Sequence, residues 1–217
     1  MKKKINKKIN YEDVTNIKDR KRWCRIQAEE ALKNLKEGYR NEASERISDK
    51  LYDMPEYQKA KLVLAYASKD REVMTFPLVA GMLEQGKRVC LPRCIPANPR
   101  GNNVQTENIL EAREIKSGYQ LVTGKYGISE PGADVPLVDP EDIDLVILPC
   151  VSCDRDCRRI GHGKGYYDSY IKKLRPDCFK VALSFEEVLS EQIPCEFHDE
   201  PVDAVITESN LYRRTAM

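Results

Sequence analysis

Net charge is nearly absent from this chain. Lys and Arg number 36 and Asp and Glu 35, for a formal charge of +1 at pH 7. Without an excess of one sign, no global field selects a nucleic acid or a membrane surface. Long apolar runs are missing as well, since no stretch approaches the roughly 18 apolar residues of a transmembrane helix. The opening MKKKINKKIN is basic but has no apolar segment behind it, so it does not read as a secretory signal. It reads as a solvated flexible tail over residues 1–17, which leaves 18–217 as a single α/β domain in a protein expected to be cytoplasmic. Internal repeats and long linkers are also missing, and 217 residues are enough for one domain with a substantial core.

A complete zinc ligand set is lacking too. The eight cysteines are Cys24, Cys90, Cys94, Cys150, Cys153, Cys157, Cys178 and Cys195. With no export signal they are expected to be reduced thiols. Cys150, Cys153 and Cys157 have ligand-like spacing, and a zinc-binding module using them with His162 is one alternative. Structural zinc usually takes two spaced pairs, and no second CxxC exists, so the cluster is expected to hold no stoichiometric zinc.

The apolar residues that are present fall into short blocks. Ile26, Leu32 and Leu35 predict an amphipathic helix over 18–37 closed by Gly38, and Ala43, Ile47 and Leu51 predict a second. LVLAYA (62–67), RVCLP (88–92), DLVILPC (144–150), FKVALS (179–184) and DAVIT (203–207) read as strands, with Pro92 stopping the second. Pro77 suits the first turn of a helix that runs to Gly86, and 165–175 reads as another helix. Residues 96–103 read as a loop and YGISEPG (126–132) as a turn, whereas 104–122 carry no clear pattern. Buried strands alternating with helices argue for a three-layer α/β domain with a mostly parallel central sheet.

RRIGHGKGYYD (158–168) carries the most chemistry. Gly161, Gly163 and Gly165 alternate between the strongest strand and a helix, where a backbone can turn sharply and approach a ligand. Arg158, Arg159 and Lys164 add positive charge, and a helix N-terminus follows, so the segment favours a polyphosphate. It is not a Walker loop, because Gly165 follows Lys164 where Ser or Thr is required, and the GxGxG spacing is not the Rossmann fingerprint. Asp168 beside such a loop is a natural Mg²⁺ ligand, since Mg²⁺ takes one or two carboxylates together with phosphate oxygens.

GHGKGYYDSYI resembles the signature of the 5-formyltetrahydrofolate cyclo-ligase family, also called methenyltetrahydrofolate synthetases. KRWCR (21–25), AYASKDREVMT (65–75), LPR (91–93), GISEP (127–131), HDEPVD (198–203) and VITE (205–208) fall in the family's order. The resemblance implies a ligase of one-carbon folate metabolism that closes 5-formyltetrahydrofolate to 5,10-methenyltetrahydrofolate with ATP and Mg²⁺. The balanced charge leads us to expect no nucleic-acid or membrane partner, and no obligate protein partner is evident in the sequence. Lys21, Arg25 and the run Arg159, Ile160, Gly161, His162, Gly163, Lys164, Gly165, Tyr166 and Tyr167 correspond to the family's nucleotide-binding positions. Ala67, Glu72 and His162 through Tyr166 correspond to its substrate contacts, and Asp168 and Asp199 to its metal ligands. Lys164, Arg159 and Tyr167 are the residues expected to act in catalysis.

Two departures stand out. The family often reads PGxxFD before the loop, where this chain has PCVSCD (149–154), and His162 stands where Arg or Tyr is common. Competing readings are an ATP-dependent enzyme of the same scaffold acting on another small substrate, and a non-catalytic nucleotide- or nucleic-acid-binding regulator, the latter suggested by the basic tail.

Overall fold

The computed structural model describes residues 16–69, 71–97, 107–124, 127–196 and 199–215. The expected tail lies almost wholly outside the described residues, as do Asp70, Tyr126, His198 and most of the expected loop at 96–103. Among the described residues no helix is long and apolar enough to cross a membrane.

Among the described residues seven strands form the central sheet, in the order β11-β10-β9-β6-β1-β2-β3. The five middle strands, β10 (Ala204–Ile206), β9 (Phe179–Leu183), β6 (Leu145–Pro149), β1 (Leu62–Leu64) and β2 (Arg88–Ile95), pair in parallel. The edge strands β11 (Leu211–Arg213) and β3 (Ile109–Ile115) run antiparallel to their neighbours. Alternate residues of each strand serve different faces. Val63, Leu145, Ile147 and Val181 pack under α1 (Ile17–Asn34), α2 (Glu37–Tyr52), α3 (Pro55–Lys59) and α4 (Phe76–Glu84). Leu62, Leu64, Val146, Leu148 and Ala182 pack against α5 (Tyr166–Ile171) through Tyr166, Tyr170 and Ile171. Covered faces on both sides explain why β6 reads as an unbroken apolar run, and they give the expected three layers. Each fully buried Leu or Ile stabilises the fold by roughly 1.5–3 kcal/mol.

Local rules were overridden in five places. The first helix ends at Asn34, and Gly38 falls inside the first turn of α2 rather than closing α1. Leu35 is extended, and its carbonyl accepts from Arg40 Nη1 at 2.8 Å, which supplies an end that glycine would otherwise make. Pro92 does not stop β2. It shares the phase of Arg88 and Cys90, whose backbone bonds point to β1, and β1 has already ended there. No ladder donor is therefore lost.

The unpatterned region contains β3, in which only Leu110, Ala112 and Ile115 are buried. The turn-like segment contributes β5 (Ser129–Pro131), which forms a hairpin with β4 (Leu121–Thr123). Finally α5 is six residues long, not eleven. Lys173 and Leu174 bond three residues back, and Pro176 then keeps Arg175 out of helical conformation.

Glu114 on β3 couples this edge to pH. Its carboxylate accepts from Arg88 Nη2 at 2.7 Å and also meets Lys116. The Arg88 hydrogen bond, assisted by Lys116 and opposed by burial, holds the Glu114 carboxyl down at about 2. A depressed carboxylate contributes its stability above the ordinary value of 4.5 and loses it as pH falls towards about 2. Glu114→Gln is expected to lose less stability than the parent across that window. Urea midpoints measured at several pH values check it, and parallel losses in the two proteins would reject the contribution.

Candidate active site

The connections from the sheet define a crevice. The chain leaves β1 towards β2 and leaves β6 towards β9, so the neighbours β1 and β6 part at their carboxyl ends. Ligands of open α/β sheets bind at such a reversal. Tyr66 and Ala67 follow β1 there, and Pro149 and Cys150 end or follow β6. A cavity of about 400 Å³ opens at this point, within the range of small-molecule sites. Ala67 and Glu72 line one side, and Arg159, Gly161 through Tyr167 and Asp168 line the other.

The glycine loop does not spring directly from β6. A short hairpin intervenes, made of β7 (Ser152–Cys153) and β8 (Arg159–Ile160). It seats Arg159 at the cavity wall with its side chain only 3% exposed. Arg159 Nη2 donates to Asp168 Oδ1 at 2.6 Å, while its buried Nε has no partner among the described residues. A buried N–H without an acceptor is rare, and a ligand oxygen in the cavity would satisfy it.

Glycine is required at two loop positions. Gly163 has φ +78, and a Cβ there would lie 3.2 Å from Arg25 Nη2. Gly165 has φ +72 and leads into α5. Arg25 Nε donates to Gly161 O at 2.8 Å, and Asn108 Nδ2 donates to Lys164 O at 2.8 Å, so α1 and the segment before β3 both brace the loop. The Lys164 side chain is exposed, and its ammonium has no partner among the described residues. With one and a half turns, α5 supplies less dipole than the sequence suggested, so the fixed charges of Arg159 and Lys164 carry more of the site's positive potential.

The other expected residues divide. Glu72 precedes α4, and its Oε1 lies 3.3 Å from His162 Nε2 while Oε2 accepts from Lys69 N at 2.9 Å. Tyr167 is half-buried against the cavity, and burial pushes its phenol well above the ordinary range, which keeps the hydroxyl a hydrogen-bond donor. Lys21 does not line this cavity. Its Nζ bridges Glu196 at 2.8 Å and Asp199 at 2.5 Å. Burial works to lower the Lys21 ammonium, but the hydrogen bonds and charges of Asp199 and Glu196 outweigh it and raise the group. Asp199 is thus committed to a lysine and to Glu196 N. Asp168 keeps one carboxylate oxygen without a partner among the described residues.

Several wall residues escaped the sequence reading: Tyr66, Lys69, Pro92, Cys94, Glu130 and Pro149. Each lies within or beside a quoted motif, but only the fold turns it towards the cavity. Glu130 is buried, and its Oε2 accepts from Cys94 N at 3.3 Å.

A model of the 5-formyltetrahydrofolate cyclo-ligase family matches residues 17–208. A probable 5-formyltetrahydrofolate cyclo-ligase of Schizosaccharomyces pombe is 32% identical over 182 residues, covering 77% of this chain and 84% of that protein. The 5-formyltetrahydrofolate cyclo-ligase of Mus musculus is 29% identical over 206 residues, covering 91% and 98%. The solution structure of the Aquifex aeolicus 5,10-methenyltetrahydrofolate synthetase superposes with a TM-score of 0.75 at 31% identity, covering 91% of this chain and 94% of that one.

Proposed function

Because the chain belongs to the 5-formyltetrahydrofolate cyclo-ligase family, we propose that its cavity carries out the ATP- and Mg²⁺-dependent closure of 5-formyltetrahydrofolate to 5,10-methenyltetrahydrofolate. The observation that carries the reading is the shared cavity. A basic glycine loop, with the buried Arg159 Nε lacking a partner among the described residues, faces Ala67 and Glu72 across one space. A phosphoryl donor and an acceptor can therefore meet there.

The formyl oxygen is a poor leaving group. It attacks the γ-phosphorus, a P–O bond forms, and ADP departs. N10 then attacks the activated carbon and gives up its proton to solvent, the C–O bond breaks, and phosphate leaves. The protein's task is to align the two reactants and offset charge spreading over the transferred group. Arg159 and Lys164 serve the phosphates, Tyr167 donates a hydrogen bond, and Gly161, Gly163 and Gly165 let the backbone approach. Arg25 braces the loop, and Lys21 supports the nucleotide end from its ion pairs. Ala67, Glu72 and His162 face the folate.

The donor set suits Mg²⁺ at Asp168, whose remaining oxygen is available beside the loop. Mg²⁺ bound there would neutralise phosphate charge. Asp199 reaches a metal only by giving up Lys21.

The test is absorbance of the methenyl product on mixing the protein with 5-formyltetrahydrofolate, ATP and Mg²⁺. No ATP-dependent signal would reject the proposal. Lys164→Ala is expected to reduce kcat/KM at least about tenfold, roughly 1.4 kcal/mol. Unchanged kinetics in a folded variant would remove Lys164 from the site.

A further inference from the structure

We propose that Asn108 is a positioning residue, which from the base of the β2–β3 connection turns the backbone amides of the glycine loop towards the nucleotide phosphates, a role that rests on the nucleotide reading above. Asn108 falls in the stretch 104–122, which carries no clear sequence pattern. It does not itself line the cavity.

The sheet edge holds Asn108 in place. Ile95, the last residue of β2, pairs with Ile109, the first of β3, and Asn108 adjoins that pair. Its Oδ1 accepts from Ala97 N at 3.0 Å, which closes the connection at its base. Its Nδ2 donates to Lys164 O at 2.8 Å. These two partners fix which way the amide faces, because a backbone N–H only donates and a carbonyl only accepts. The side chain is therefore a fixed donor aimed at one carbonyl 56 positions away.

The tie acts through the planarity of the peptide. Across a trans peptide the C=O of one residue and the N–H of the next point in opposite directions. The Lys164–Gly165 peptide is trans. Holding Lys164 O on Asn108, which is not a cavity residue, sends Gly165 N–H the other way, towards the cavity that Lys164 and Gly165 line. Arg25 does the same at the other end of the loop, where it holds Gly161 O and so orients His162 N–H. The backbone N–H groups of His162, Gly163, Lys164 and Gly165 all lack an acceptor among the described residues. Successive free amides make a concave anion site. If the 164–165 peptide rotated, it would present a carbonyl oxygen to the phosphates instead. Glycine at 165 makes that rotation cheap, since it accepts φ of either sign, and Asn108 supplies the bias.

Calorimetric titration of the full chain tests this. Mg²⁺ is present, and ATP and 5-formyltetrahydrofolate are each added alone, so that no turnover occurs. Asn108→Leu keeps the size of the side chain, removes the donor and adds no charge. It is expected to raise the Kd for ATP about fivefold or more, as one lost hydrogen bond does, and to leave the Kd for 5-formyltetrahydrofolate within about twofold. The urea midpoint should stay at the parent's value. Asn108→Gln retains an amide donor and should recover part of the ATP affinity. Parent-like ATP binding in Asn108→Leu would overturn the assignment while leaving the nucleotide reading intact. Equal losses for both ligands with a lower urea midpoint would also overturn it, by making Asn108 a residue of the fold alone. If leucine prevents folding, Asn108→Ala decides by the same comparison. A parent protein that binds no ATP would sink the nucleotide reading and the role of Asn108 together.

Discussion

Arg159→Met is expected to lower kcat/KM by about 100-fold or more while leaving the protein at least as stable as the parent. The two halves of that expectation have different causes. A guanidinium held where charge develops on a transferring group acts like an oxyanion donor, and losing one such donor costs on the order of 10²–10³ in rate, or about 2.7–4 kcal/mol. For stability the balance reverses. The Arg159 side chain is 3% exposed, makes one ion pair, and leaves Nε without an acceptor among the described residues. Desolvating an ion costs several kcal/mol, which an imperfect pair does not recover. Its partner Asp168 is 42% exposed and can be rehydrated once the arginine is gone, and methionine fills the space of the aliphatic stem. Steady-state kinetics combined with urea unfolding separates the two effects. Retained turnover with a lower unfolding midpoint would assign Arg159 to the fold alone.

Asp168→Asn should lower activity at limiting Mg²⁺ by at least about tenfold, with partial recovery at high Mg²⁺, as loss of a charged metal ligand requires. Asparagine keeps the size and an oxygen that Arg159 can still bond, so the hairpin and α5 should stay in place. What disappears is the negative charge. Asp168 is the third residue of α5, and the residue preceding the helix is Gly165, so no side-chain cap is lost in the substitution. A purely structural Asp168 would thus tolerate Asn. Titrating activity against Mg²⁺ distinguishes the cases. Near-parent turnover at limiting Mg²⁺ would reject the metal role, and loss that no Mg²⁺ concentration reverses would place the defect in the Arg159 contact.

The strands that build the site were legible because they are buried on both faces. DLVILPC needs no partner to be recognised, since continuous burial leaves a continuous apolar run, and FKVALS shows the same in its buried half, Val181 to Leu183. The glycine loop was legible because positive φ at Gly163 and Gly165 restricts the residue type locally. The edge strand β3 was not, because only part of it is buried and its charged residues pair across the edge, as Glu114 does with Arg88. Pro92 misled for a related reason: whether a missing N–H matters depends on the neighbour, and the neighbour ends first.

The amino-acid sequence by itself determined the layer order, the loop and the chemical types at the site, because periodicity, backbone strain and side-chain functional groups are properties of short segments. Which charge meets which was decided only by the tertiary structure. Lys21 and Asp199 stand 178 positions apart and meet because α1 packs near the segment before β10. His162 meets Glu72 across 90 positions, and Arg25 meets Gly161 across 136. Burial of Arg159 and the cavity that joins Ala67 to the loop arise in the same way. Coulombic and hydrogen-bond energies depend on distance and local dielectric, and neither exists for these pairs until the sheet has closed.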